Sequence, residues 1–146
     1  MTSIHASAVA FGNKGVLIRG SSGSGKSDLV LRLIDGEGFG TGKKALRAKL
    51  IADDQVVLVR QGNDIIMSTQ KAIAGKLEIR GIGIVDLRHK SKTKLVLVID
   101  LKPQADIERM PELSDTVTEI LGLKIRRIFI DPLANSAPAK IRALLC

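Results

Sequence analysis

The sequence predicts a strand-rich α/β domain organised around a phosphate-binding loop, and three observations carry that expectation. The octet Gly20-Ser21-Ser22-Gly23-Ser24-Gly25-Lys26-Ser27 matches G-x-x-x-x-G-K-[ST]. It stands between an apolar run, Gly15 to Gly20, and a helical stripe of Leu29, Val30, Leu33 and Ile34. Six or more strand candidates face only two helix candidates, which argues against regular βαβα alternation. Finally, 146 residues at 45% hydrophobic content suffice for one cored domain and fall short of two, so residues 1–146 read as a single P-loop domain.

Taken in order, residues 3–11 alternate as a strand and Gly12-Asn13-Lys14-Gly15 is a turn signal, so the chain is expected to open with a β-hairpin. The loop and its helix run to about Asp35, and the stretch Gly36-Glu37-Gly38-Phe39-Gly40-Thr41-Gly42 reads as surface loop. Leu50-Ile51-Ala52 is a short apolar run ending in Asp53-Asp54. Val56 to Val59, the turn Gln61-Gly62-Asn63-Asp64 and Ile65-Ile66-Met67 make a second hairpin. Leu77 to Val85 is rich in Ile and Gly, and Leu95 to Ile99 is a continuous apolar run, as expected of a strand covered on both faces. Thr116-Val117-Thr118-Glu119 has the form of a capping box, so a short helix closed by Gly122 is expected, with Ser114 an equal candidate for the cap. Ile125 to Ile130 makes the last strand.

Composition narrows the function classes. With no Trp or Tyr and only Phe11, Phe39 and Phe129, the core is built from Leu, Ile, Val and Ala, and the platforms that stack nucleic-acid bases are missing. Cys146 is the one cysteine, so a disulfide framework or metal cluster within the chain is excluded and a reducing compartment is expected. Met1-Thr2-Ser3-Ile4-His5 lacks the features of a signal peptide, and no apolar run reaches membrane-spanning length. A cytoplasmic protein engaging neither membrane nor nucleic acid is expected. The net charge of +8 is divided evenly between the two halves of the chain. Two basic clusters stand out, Lys43-Lys44 with Arg47 and Lys49, and Arg88 to Lys94; each reads as solvated loop and strand edge, or as a dock for an acidic partner or nucleotide phosphates.

The chemistry begins in the octet. Its glycines let successive N–H groups face oxyanions, the first helical turn adds its dipole, Lys26 offsets β/γ-phosphate charge, and the Ser27 hydroxyl suits Mg²⁺. Asp53-Asp54 ends a short apolar run, where P-loop proteins keep a metal-binding aspartate. Two carboxylates allow one to hold metal while the other accepts a proton; the same pair serves equally as a polar turn. Leu77-Glu78-Ile79-Arg80-Gly81-Ile82-Gly83-Ile84-Val85-Asp86 places a carboxylate, a guanidinium and two glycines in an apolar stretch. Glycine there points to close approach of a ligand or backbone, and the alternative is a surface ion pair beside a bulge. His5 and Arg109 are ordinary residues when taken alone.

Together these motifs resemble the catalytic domain of bacterial HPr kinase/phosphorylase, from about His5 to Ile130. The resemblance rests on Gly20 to Ser27, on Leu50-Ile51-Ala52-Asp53-Asp54, and above all on the decapeptide Leu77 to Asp86. It implies a strand-rich P-loop kinase fold of the HPr kinase/PEP carboxykinase-like type, using ATP and Mg²⁺ to phosphorylate a serine of the phosphocarrier HPr. By the same resemblance Gly20, Ser21, Ser22, Gly23, Ser24, Gly25, Lys26 and Ser27 would bind nucleotide, Ser27 and Glu78 would hold Mg²⁺, and Asp54 would be the base. Asp53 would support the metal and its waters, His5 matches a family histidine before the loop, and Arg109 matches an arginine that stabilises the transferred phosphoryl.

The chain resembles the truncated form of the family, a catalytic domain with no separate N-terminal domain. Where the family has two arginines tied to dephosphorylation, it reads Asp131-Pro132-Leu133-Ala134-Asn135-Ser136-Ala137, with Lys140 and Arg142 downstream as substitutes. The expectation is therefore a cytoplasmic, homo-oligomeric protein serine kinase acting on an HPr-type phosphocarrier. Its rivals are a non-catalytic nucleotide-sensing regulatory protein and a P-loop ATPase on nucleic acid, the latter favoured by charge alone.

Overall fold

The computed structural model describes every residue from Met1 to Cys146. Eleven strands and two α-helices form it: β1 (Thr2–His5), β2 (Ser7–Phe11), β3 (Lys14–Arg19), α1 (Lys26–Asp35), β4 (Lys49–Ala52), β5 (Gln55–Gln61), β6 (Asp64–Ser68), β7 (Lys76–Ile79), β8 (Gly83–Asp86), β9 (Lys92–Leu101), β10 (Val117–Ile120), β11 (Leu123–Ile130) and α2 (Ala137–Ala143). The main sheet runs β1-β5-β6-β9-β3-β2-β4, with β11 and then β10 branching from β9.

Strand β9 is the spine. Its first residues, Lys92 to Lys94, pair antiparallel with β6, and its later ones pair parallel with β3 and β11. Its apolar run, Leu95 to Ile99, feeds both cores. Leu97 and Ile99 join the cluster under α1 and α2, whereas Leu95 and Val98 join a second cluster with Leu58, Ile65 and Met67 from β5 and β6. A run that is apolar at every position suits a strand with no solvated face. At the top of the spine the Asp100 carboxylate takes two hydrogen bonds from Arg19, at 2.7 and 2.8 Å, and one from Arg127 at 3.3 Å. That network ties the ends of β3, β9 and β11 together where the phosphate-binding loop departs.

The expected opening hairpin forms, but residues 3–11 are not one strand. His5 pairs with Gln55 and Ala8 with Ala52, so β1–β2 runs along β5–β4, and both tracts bend at the same level. Ala6 donates its N–H to the Asp54 carbonyl at 3.2 Å, and Asp54 takes a left-handed backbone with φ of 67°. Strands that change sheet do so at such bends. The corner sets Ser7 of β2 against Asp53.

Residues 116–122 depart from expectation. They form β10 and its turn into β11, with Val117 paired to Arg126 and Ile120 to Leu123. Val117, Thr118 and Ile120 are β-branched residues that pack well on a pleat, and pairing along β11 outweighs a local cap. The second helix is α2 instead, with Pro138 tolerated in its first turn. In the basic run Arg88 to Lys94, the Arg88 carbonyl and Lys90 N–H bracket Leu50 of β4, Lys90 Nζ reaches the Gly12 carbonyl, and Lys94 pairs with Asp64. No helix is long and apolar enough to cross a membrane.

Candidate active site

The octet bridges β3 and α1 as its pattern requires. Gly25 sits at the helix N-cap with φ of 101°, a conformation that L side chains resist, and an added Cβ would lie 3.2 Å from Pro132. The Ser24 N–H closes a tight turn onto the Ser21 carbonyl at 3.0 Å. Lys26 is buried, 5% exposed, and its Nζ donates to the carbonyls of Gly20 at 2.7 Å and Ser21 at 2.9 Å. The ammonium is thus held inside the curl of the loop, beside the N-terminal turn of α1 and its unpaired N–H groups.

A cavity of about 770 Å³ opens against this loop. It is lined by Ser22, Gly23, Gly25, Lys26 and Ser27 of the loop and first helical turn, by Asp28 and Leu31 of α1, and by Asp54 and the segment Glu78 to Gly83. The volume is ordinary for a nucleotide-sized ligand. Three regions separated in sequence therefore converge: the octet, the Asp53-Asp54 corner and the decapeptide.

At the corner the two aspartates diverge. Asp53 Oδ1 accepts hydrogen bonds from Ser27 and from Ser7, each at 2.9 Å, whereas Asp54 is exposed and lines the cavity. The left-handed backbone at Asp54 turns adjacent side chains to different tasks, and aspartate is among the residues that tolerate it. The decapeptide is a two-stranded hairpin, β7 against β8, rather than one strand. Its tip, Arg80-Gly81-Ile82, lines the cavity. Gly81 and Gly83 have φ of 87° and 108° with open space around an added Cβ, so backbone conformation explains them rather than close approach of another backbone. Glu78 and Arg80 make no ion pair with each other, and both are exposed.

The remaining candidates lie farther out. His5, at the end of β1, has Nε2 3.4 Å from the Ser22 hydroxyl and so touches the loop without lining the cavity. Arg109 is exposed between β9 and β10 and does not line the cavity. The Asp131 to Ala137 segment does adjoin the loop, since Pro132 packs on Gly25 and accepts a hydrogen bond from Arg32 of α1. Arg142 cannot substitute for the missing arginines there. It is 6% exposed, and its guanidinium donates to the carbonyls of Leu46 at 2.9 Å, Gly36 at 2.9 Å and Leu33 at 3.4 Å, at the far end of α1. Burial lowers its pKa, and Glu37 partly opposes that shift. Lys140 is exposed. Ser7 escaped sequence reasoning because a serine in a buried strand carries no motif; only the pairing of β2 with β4 reveals its neighbour.

The metal-binding groups around the cavity are oxygens: a hydroxyl at Ser27 and carboxylates at Asp54, Glu78 and Asp28, the last paired with Arg32, with Asp53 hydrogen-bonded to Ser27. Mg²⁺ is bound by one or two carboxylates plus substrate phosphates and water, so this set suits it. No three of the His, Cys, Asp and Glu residues form a closed metal cage.

Known proteins resemble this chain in sequence and fold. The family model described as HPr Serine kinase C-terminal domain matches residues 1–141. The HPr kinase/phosphorylases of Burkholderia cenocepacia (strain HI2424) and Paraburkholderia phymatum are 36% identical over 131 residues, covering 83% of this chain and 37% of their own length. The solved structure of the Hpr(Ser) kinase/phosphatase from Coxiella burnetii matches with a TM-score of 0.78 at 26% identity, covering 99% of this chain and 94% of that one. The expected strand-rich α/β fold is thus the fold observed, and this chain belongs to the HPr serine kinase C-terminal domain family.

Proposed function

We propose that this domain is an ATP- and Mg²⁺-dependent protein serine kinase whose acceptor is an HPr-type phosphocarrier, acting in the cytoplasm as a homo-oligomer. The convergence of Lys26, Ser27, Asp54 and Glu78 on one cavity carries this reading. The chain spans 37% of the length of the curated relatives, so their activity is transferred here as a proposal.

In this reading the loop from Gly20 to Ser27 binds the phosphates through backbone N–H groups, and Lys26 exchanges its carbonyl partners for the β/γ oxygens. Ser27 and Glu78 would hold Mg²⁺, with Asp53 fixing Ser27. The ion, when bound, would supply neutralisation of phosphate charge. Asp54 takes the proton of the acceptor serine while that serine oxygen forms its bond to the γ-phosphorus. The bond from phosphorus to the β–γ bridging oxygen breaks in line, and ADP leaves. Positioning and charge neutralisation supply most of the acceleration. In phosphorolysis an oxygen of hydrogen phosphate attacks the phosphoserine phosphorus and passes its proton to Asp54, the bond from phosphorus to the serine oxygen breaks, Asp54 hands that proton to the serine oxygen, and pyrophosphate leaves. His5 steadies the loop through Ser22. By the family resemblance Arg109 would stabilise the transferred phosphoryl, although it does not line the cavity.

The test is to incubate the purified protein with ATP labelled in its terminal phosphate, Mg²⁺ and candidate phosphocarriers, then locate the label by mass spectrometry. Phosphate on a carrier serine supports the reading. Tight binding of Mg²⁺–nucleotide with no transfer to any carrier would favour the nucleotide sensor instead.

A further inference from the structure

We propose that Ser7 is a positioning residue for the metal-bearing hydroxyl: acting through Asp53, it fixes the orientation in which Ser27 offers its oxygen to a nucleotide-bound divalent cation. The proposal rests on the nucleotide-binding reading above and assigns a role to a residue outside the loop.

Strand β2 is buried from end to end, and Ser7 is its one polar side chain, with 0% exposure. A hydroxyl removed from water is destabilising unless it is hydrogen-bonded. Its side-chain partner is Oδ1 of Asp53 at 2.9 Å, the same oxygen that accepts from Ser27 at 2.9 Å. These are the side-chain hydrogen bonds of Asp53, which has no salt bridge.

The stoichiometry of donors sets the consequence. A serine hydroxyl carries one proton and two acceptor lone pairs. With its proton directed to Asp53, Ser27 keeps its lone pairs for the cavity it lines, and a cation accepts that presentation. The presentation depends on where Asp53 Oδ1 lies. Asp53 sits in a two-residue corner between β4 and β5, and Ser7 holds its carboxylate from the opposite strand. Loss of Ser7 removes one of two restraints on that carboxylate and leaves Ser27 free to turn its proton toward the metal position. Groups one shell behind a metal ligand act in this way, and their loss weakens metal affinity by about 10–100-fold.

A purely structural Ser7 would lower stability without distinguishing metal-bound from metal-free nucleotide. The experiment therefore measures affinity for a fluorescent ATP analogue across a Mg²⁺ titration and separately in EDTA, for wild type, Ser7→Ala, Ser7→Thr, Asp53→Ala and the double variant Ser7→Ala/Asp53→Ala. Ser7→Ala is expected to raise the Mg²⁺ needed for half-maximal binding by about 10-fold or more, with EDTA affinity unchanged. Ser7→Thr restores the hydroxyl and the wild-type titration. The double variant should match Asp53→Ala alone, because Ser7 acts through Asp53. Equal losses with and without Mg²⁺, an unchanged Mg²⁺ titration in Ser7→Ala, or additive effects in the double variant would each overturn the proposal while leaving nucleotide binding intact. A wild-type protein whose nucleotide affinity ignores Mg²⁺ would overturn both this proposal and the reading on which it rests.

Discussion

Ser27 and Asp53, 26 positions apart in sequence, meet in a 2.9 Å hydrogen bond that joins the first turn of α1 to the corner between β4 and β5. Through it the octet and the aspartate pair become one site, and the neighbouring Asp54 is left to face the cavity. Consecutive carboxylates thus have separate surroundings, one bonded to hydroxyls and one open to a substrate.

Lys26→Ala should abolish phosphoryl transfer and sharply weaken nucleotide binding. The ammonium is the one cation inside the loop, and no other side chain lining the loop wall can replace it. Binding and transfer assays on a variant shown by circular dichroism to be folded provide the check. Near-wild-type transfer would remove the phosphate-loop reading.

Asp54→Asn should retain nucleotide binding and lose transfer by about 10²–10⁴-fold, the usual contribution of a general base. Asparagine tolerates the left-handed backbone at this position, so the corner should survive. Glu78→Gln should instead shift the Mg²⁺ requirement. Rates measured against Mg²⁺ separate the two, and full recovery of Asp54→Asn at saturating Mg²⁺ would reassign Asp54 from base to metal ligand.

Arg142→Met should destabilise the fold by about 1–3 kcal/mol, the penalty for removing the donor of part-buried carbonyls. Gly36 and Leu46 lose their guanidinium donor, whereas the Leu33 carbonyl keeps the Ala48 N–H at 3.2 Å. Nucleotide affinity at low temperature should stay near wild type, because these contacts lie at the opposite end of α1 from the loop. Urea unfolding and binding titrations check this together; unchanged stability with lost dephosphorylation would return Arg142 to the phosphate site.

Forward transfer should exceed dephosphorylation of the phosphoserine carrier. The segment Asp131 to Ala137 adjoins Gly25 yet carries no cation, and Arg142 is committed elsewhere. Holding inorganic phosphate as a nucleophile needs fixed donors that this rim lacks. Pyrophosphate release from phosphorylated carrier with excess phosphate and Mg²⁺ measures the reverse rate directly, and a rate equal to forward transfer would show that the missing arginines are dispensable.

What the sequence made legible was local. The loop, α1 and the β5–β6 hairpin follow from motif, helical spacing and turn residues that act within about ten positions. The helix expected at residues 116–122 failed because a capping box and a β-branched strand start look alike, and pairing with β11 decided between them. The decapeptide was recognisable as a motif, but its hairpin shape was hidden: glycine marks either a close approach or a positive φ. Ser7, Asp53 and Ser27 were invisible as a group. Their meeting depends on the corner where β1–β2 and β5–β4 bend together, and α2 escaped notice because its seven residues carry a proline in the first turn.

The central claim is that one cavity presents Lys26, Ser27, Asp54 and Glu78 to the terminal phosphates of a nucleotide. A crystal structure with Mg²⁺ and a non-hydrolysable ATP analogue tests it most directly. The account expects the β- and γ-phosphates at the N-terminus of α1, Lys26 Nζ moved from the Gly20 and Ser21 carbonyls onto phosphate oxygens, Mg²⁺ about 2.0–2.1 Å from Ser27 Oγ, and the Asp54 carboxylate facing the γ-phosphorus. A nucleotide bound outside this cavity, or bound within it while Asp54 and Glu78 both turn to solvent, would contradict the account.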